Sequence, residues 1–195
     1  MLNDVPGKRI LPETRDRVRQ AAAELGYVVN GLARSLRLQH SPVIGFISDE
    51  VLTTPFAVGM VLGALEAASR LGWTVMMANT GVHRAAEAAE IRALVERQVA
   101  AFLYVRMYHR NGVVIPESLP GHPTVLVDGS CADPRIASVV PDEAGGGAAA
   151  ARELIDHGHT RIAFINNADD ISASRERQAG FTSELRRAGL ELEPQ

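Results

Sequence analysis

Beyond residue 41 the chain alternates between short, almost uninterrupted apolar runs and longer stretches in which apolar residues recur every three or four positions. Residues 42–48 are a near-continuous apolar run, the pattern of a parallel strand buried on both faces, and residues 74–78, 101–107, 124–127 and, as a short fifth, 137–140 read as the further strands. Between them, residues 55–71 carry Val58, Val61, Leu62, Leu65 and Ala68 on one helical side. Residues 84–98 carry Ala88, Ile91, Leu94 and Val95 inward, with the charged residues outward. A helix from about residue 143, a buried strand at 162–165 and a helix with Phe181, Leu185 and Leu190 continue the alternation. Repeated strand–helix winding predicts an α/β fold, a doubly wound and mostly parallel sheet with right-handed crossovers.

The first 40 residues follow another pattern. Val18, Ala21, Ala22 and Leu25 share one face of a helix predicted over residues 12–25, with Pro12 in its first turn and Gly26 closing it. One narrow apolar stripe cannot hold a helix alone, so this segment needs partners. Further on, Asn30 is placed to cap a second helix in which Leu32 and Leu36 share a face. That helix ends near Arg37, well short of the ~12–15 residues an isolated helix needs, and Gly31 costs it about 1 kcal/mol more. It is therefore expected to order only when something packs on it.

Charge sharpens this division. Residues 1–40 hold seven Lys and Arg against four Asp and Glu, while the net charge of the whole chain is −3. A basic arm on an acidic body suits nucleic acid. The single cysteine, Cys131, leaves no internal disulfide and no thiolate zinc site. No apolar stretch approaches the ~18 residues of a membrane span and the N-terminus lacks a signal-peptide pattern, so a cytoplasmic protein is expected.

Open parallel sheets bind ligands beyond the carboxyl ends of their strands. That rule selects Asp49, Glu50, Thr54 and Phe56 after the first strand, Arg106 and Tyr108 after the third, Asp128 after the fourth and Asp142 after the fifth. A carboxylate and a guanidinium there can hold vicinal hydroxyls or a small acid; alternatively, Asp128 and Arg106 form a salt bridge or cap helices. Gly145-Gly146-Gly147 opens a helix after a strand, but it fits neither dinucleotide nor P-loop spacing and suggests close packing. His157-Gly158-His159 reads as a helix-ending turn before it reads as a metal site. There is no Gly-x-Ser-x-Gly elbow and Cys131 has no fixed histidine partner, so neither catalysis nor a cofactor or metal is expected.

The stretch Gly26-Tyr27-Val28-Val29-Asn30-Gly31-Leu32-Ala33-Arg34-Ser35-Leu36-Arg37 resembles the hinge of the lactose/galactose repressor (LacI/GalR) family, usually Gly-Tyr-x-Pro-Asn-x-x-Ala-Arg-x-Leu. Val29 departs from the proline and Gly31 from a better helix former. A second and longer likeness begins at Pro141 and includes the Gly158-His159-Thr160-Arg161 turn and Ser172 to Phe181, similar to the family's Ser-x-x-Arg-x-x-Gly-Phe. The resemblance implies a periplasmic-binding-protein-like core in which residues 41–141 form a first effector-binding subdomain and 142–195 begin a second. Residues 1–40 then correspond to a partial helix-turn-helix headpiece and hinge.

By the same resemblance Asn3, Thr14, Tyr27, Asn30, Ala33, Arg34 and Leu36 belong to the DNA-binding surface, Leu36 as a wedge in the minor groove. Leu11 stands where a phosphate-binding serine is usual. Thr54, Phe56, Arg106, Asp128 and Arg177 belong to the effector cleft, with Asp128 and Arg177 closing on a sugar-like ligand from opposite subdomains. The implied partners are operator DNA, a small effector and a second copy of the chain, with no membrane. Measured against the family the chain is expected to be truncated at both ends, without the recognition helix, and so to bind DNA weakly and non-specifically. A sugar-binding transport protein of the same core fold, a small α/β enzyme using the triple glycine, and a non-functional fragment are the alternatives.

Overall fold

The computed structural model describes residues 11–27, 41–50, 57–81, 84–119 and 121–192. The polypeptide forms two units, Met1–Ser41 and Pro42–Gln195.

In the first unit α1 spans Pro12–Glu24, with proline at its start and Glu13 in its first turn, where the helix dipole favours a negative charge. Its N-cap position is Leu11, which has no side-chain oxygen to offer and makes no capping bond. At the other end Gly26 turns left-handed (φ +60°), so that the amide of Tyr27 donates to the Ala22 carbonyl oxygen at 2.8 Å. No residue of α1 is buried, as expected of a stripe that needs partners. The predicted hinge helix at 30–37 lies outside the described residues.

The second unit is built on a parallel sheet of β1 (Val43–Ser48), β2 (Thr74–Asn79), β3 (Ala101–Arg110), β4 (Thr124–Gly129) and β5 (Ala137–Val139), in the order β2-β1-β3-β4-β5. Its helices are α2 (Val58–Arg70), α3 (Arg84–Glu96), α4 (Glu143–Asp156) and α5 (Ser172–Arg187). Alternate residues of the central strands supply two cores. Phe46, Val105 and Met107 meet Ala57, Met60, Val61 and Ala64 on the α2 side. Ile47, Phe102, Tyr104 and Leu126 meet Ile91, Leu94, Val99 and Leu119 on the α3 side. No described helix is long and apolar enough to cross a membrane.

Three expectations are corrected. The helix at 58–70 does not bury the face read from its periodicity: Val58 and Leu62 are each 51% exposed and Leu65 is 39% exposed. The inward stripe is Ala57, Met60, Val61, Ala64 and Ala68. Apolar residues occupy two stripes of this helix, and the one richer in alanine faces the strands. Residues 162–165 form no strand and pair with no described strand; Ile162 is buried, Phe164 packs on Phe181 at 4.8 Å between ring centres, and Ile165 is 94% exposed. In α3 not every charge points outward, since Glu87 turns into the molecule.

Helix α3 ends on a left-handed Gln98 (φ +58°), where the other described helices end on Gly26, Gly72, Gly158 and Gly189. A side chain there strains the backbone by about 1 kcal/mol or more. Gln98→Gly is expected to stabilise the protein by about 0.5–1 kcal/mol after glycine's own entropic penalty, read as a higher urea midpoint at unchanged slope.

Helices α4 and α5 cross in backbone contact. A Cβ on Gly147 would lie 2.1 Å from the Arg177 carbonyl oxygen, and one on Gly180 would lie 1.9 Å from that of Ala144. Beside this crossing Ala151, Ile162, Phe181 and Leu185 form a third core.

Candidate functional site

Strand β3 does not run straight to its end. It pairs with β4 through Val105 and Val127 and then, after a register shift, through Arg110 and Gly129. The extra residues of β3 are taken up in a bulge where Tyr108 (φ +70°) and His109 (φ +48°) are left-handed, and β4 answers with a left-handed Asp128 (φ +56°). Three non-glycine residues in this region at one sheet edge store strain, a feature that gathers at ligand sites. The bulge turns the amides of Tyr108 and His109 onto the Asp128 carboxylate.

Asp128 is buried, and burial is the main cause that raises its pKa above the ordinary value. The His109 amide and ring charge and the Tyr108 amide pull it down, while the nearby Glu143 adds to the rise. A carboxyl whose pKa is raised by folding destabilises the fold once the pH exceeds that raised value, and does so not at all below its unfolded value. Asp128→Asn is therefore expected to raise the melting temperature at neutral pH and to leave it unchanged below about pH 4. Melting curves of both proteins across this range test the sign.

Facing this edge are the first residues of α4 and α5. Asp142, a candidate ligand by its place after β5, instead caps α4 by accepting from the Gly145 amide at 2.8 Å. The next residue, Glu143, is buried and grips Arg177 of α5 in a fork: one bond joins Nη2 to Oε1 at 3.0 Å, and a second joins Nε to Oε2. The Arg177 guanidinium is thus held by Glu143 rather than by Asp128. Asn111, just past β3, accepts from Ser130 at 2.7 Å and donates to Ser172 at the start of α5 at 3.0 Å. His109 Nδ1 lies 3.7 Å from Glu176 of the same helix.

A second polar cluster lies on the α3 side of β3. Tyr104 donates to Glu87 at 2.8 Å, Arg106 is paired with the same carboxylate, and the guanidinium rests 4.0 Å above the Tyr104 ring. Burial lowers the Arg106 pKa, and the charges of Glu87 and Asp49 oppose that shift. Asp49, 3% exposed, stands 3.6 Å from Arg106 and 4.0 Å from Arg110. These groups wall a cavity of about 270 Å3.

Of the other candidates, Glu50 donates its amide to Asp49, and Tyr108 is 38% exposed at the bulge. Thr14 and Tyr27 are exposed on and just after α1. Asn3, Asn30, Ala33, Arg34, Leu36, Thr54 and Phe56 lie outside the described residues. His157-Gly158-His159 is the turn that ends α4, with the His159 amide on the Leu154 carbonyl oxygen at 3.0 Å. Cys131 faces the Asp133 carbonyl oxygen at 3.7 Å. Sequence reasoning missed Glu87, Glu143 and His109. Glu87 shares its helical face with Ile91 and Leu94, and Glu143 with Gly147 and Ala151, so a charge inside a buried stripe was the available signal.

Residues 41–195 match the family model for periplasmic binding proteins and the sugar-binding domain of the LacI family. The chain is 31% identical to the sucrose operon repressor of Escherichia coli over 94% of its own length and 55% of the relative's. It is 30% identical to the ribose operon repressor of Escherichia coli strain K12 over 90% of its length and 53% of that protein. It thus spans about half the length of these curated relatives. Among solved structures, a complex of the transcriptional regulator CelR with cellobiose superposes with a TM-score of 0.58 at 29% identity, covering 95% of this chain and 56% of the other.

Proposed function

Because the chain belongs to the family of periplasmic binding proteins and LacI-type sugar-binding domains, we propose that it is the effector-binding part of a cytoplasmic DNA-binding transcription regulator of the repressor type, and not an enzyme. The observation that carries this reading is that Asp128, buried at the carboxyl edge of the sheet, lies near the charge of Glu143, which in turn holds Arg177 of α5. A buried acceptor on one side and a forked donor on the other suit a sugar-like molecule, and relatives named as sucrose and ribose operon repressors support that class. Arg106, Thr54 and Phe56 complete the proposed effector-binding set.

In this reading α1, with Thr14 and Tyr27 on its surface, and the segment holding Asn30, Ala33, Arg34 and Leu36 face operator DNA together with Asn3. Binding at one site is felt at the other because closure of the subdomains and the presentation of paired hinges share one equilibrium. The exposed stripe of Val58, Leu62 and Leu65 on α2 is the proposed contact with a second copy of the chain.

Calorimetry and thermal denaturation with sugars, disaccharides and purines test the reading. A matching sugar stabilises the fold by about 2.7 kcal/mol at about 100 times its Kd, and Asp128→Asn loses that response. Stabilisation by a nucleotide alone would count for a small α/β enzyme instead. Binding of a sugar with no retention on DNA at low salt would count for a transport-type protein.

A further inference from the structure

Beyond Arg110 the chain does not leave the sheet as a free loop. The amide of Ser130, the residue after β4, donates to the Arg110 carbonyl oxygen at 2.8 Å, and the Val113 amide donates to the Ser130 carbonyl oxygen at 2.8 Å. Between these bonds Gly112 turns left-handed (φ +69°), so the chain folds tightly about Ser130. Ser130 also donates its hydroxyl to Asn111 Oδ1 at 2.7 Å. That bond sets the Asn111 amide: its Nδ2 points the other way and donates to Ser172 Oγ at 3.0 Å, in the first turn of α5.

A second contact runs to the same helix. His109 Nδ1 is buried without a hydrogen-bond partner and stands 3.7 Å from Glu176, beyond hydrogen-bond length. Ser172 and Glu176 are four residues apart and so share one face of α5. Residues 109 and 111 therefore address a single face, one across a gap and the other through a bond. The chain just before them is the strained part, since Tyr108 and His109 are left-handed without being glycine. Strain of this kind persists only where the surroundings over-determine it. While it is held, the amides of both residues reach the Asp128 carboxylate.

We propose that residues 109–112 form a strap fastened by Asn111 to Ser172 of α5, and that this fastening holds the left-handed turn which presents the Tyr108 and His109 amides to Asp128. Unfastened, the bulge relaxes toward ordinary backbone angles and Asp128 loses two donors. The strap is thus a conformational control set between the sheet edge and α5, and the gap at Glu176 gives it room to tighten as the helix approaches. Its consequence for a ligand rests on the effector reading: with Asp128 as an acceptor in the cleft, a slack strap weakens binding.

Amide exchange followed by NMR on the full chain, without ligand, tests this. Asn111→Ala is expected to speed exchange of the Tyr108 and His109 amides about fivefold, the local opening that one lost hydrogen bond allows. The Phe102 amide, bonded to the Pro123 carbonyl oxygen at 2.8 Å, should keep its rate. Ser172→Ala should match Asn111→Ala, and the double variant should do no more than either, because each removes the same bond. Unchanged rates at Tyr108 and His109, equal acceleration at Phe102, or full additivity of the two substitutions overturns the proposal. A larger effect of Glu176→Ala than of Asn111→Ala overturns it too, since the bulge would then be held across the gap. Titration with ribose, sucrose and cellobiose bears on the effector separately: a sugar bound by the unaltered chain should bind Asn111→Ala about fivefold more weakly. If none of them binds, the effector reading loses its support while the exchange rates still decide the strap.

Discussion

Gly147→Val is expected to destabilise the protein by about 3 kcal/mol or more, whereas Gly146→Ala, one residue earlier, is expected to stabilise it by about 1 kcal/mol. Position 147 is buried, and a Cβ there would sit 2.1 Å from the Arg177 carbonyl oxygen, where 3.4 Å or more is ordinary contact. Backbone cannot rotate aside as a side chain does. Helices α4 and α5 would have to separate by more than an ångström, opening the core of Ala151, Ile162, Phe181 and Leu185 beside them. Gly146 has nothing within 4 Å of its Cβ position, so alanine there only improves the helix. Urea denaturation followed by circular dichroism measures both, and equal effects at 146 and 147 would refute the close-crossing account. The same comparison bears on the triple glycine: its third member is there for packing.

Arg106→Met carries the second large effect, a loss of about 3–5 kcal/mol at neutral pH. Methionine keeps much of the arginine's contact with the Tyr104 ring, so the deficit comes from the carboxylates left behind. Glu87 is 12% exposed and Asp49 3% exposed, and Arg106 lies within salt-bridge reach of both. Without it, two largely buried carboxylates lose a cation they share, and a buried charge stripped of its partner is costly. The deficit should therefore be full at neutral pH, where carboxylates are charged, and shrink in acid, where they are neutral. Adding Glu87→Gln should restore part of the stability, because Tyr104 can still donate to the amide oxygen. Denaturation midpoints of single and double variants against pH check this, and a pH-independent deficit would mean that lost packing, not stranded charge, is the cause.

The strands were legible because each reads as a short apolar run, although only the central ones are largely buried and β5 at the sheet edge is exposed; β1, β2 and β5 fall within a residue of expectation. The caps were legible too, in Pro12 and Gly26. The ends of β3 and β4 were not. Tyr108, His109 and Asp128 hold conformations that their residue types do not favour, and what holds them is a contact between two strands, invisible in either alone. The inward face of α2 was misread because its two apolar stripes are equally periodic, and only the strands beneath choose between them. The segment at 162–165 has a strand's composition, but a ladder also needs a neighbour.

By itself the sequence determined the alternation of strands and helices, where most helices begin and end, and which family they belong to, because these depend on neighbours a few residues apart. Only the tertiary structure decided the partners of the charges: Arg106 with Glu87, 19 residues away, and Arg177 with Glu143, 34 away. Ionic partners are chosen by which elements lie side by side and by how deeply each group is withdrawn from water. Neither is written in local periodicity.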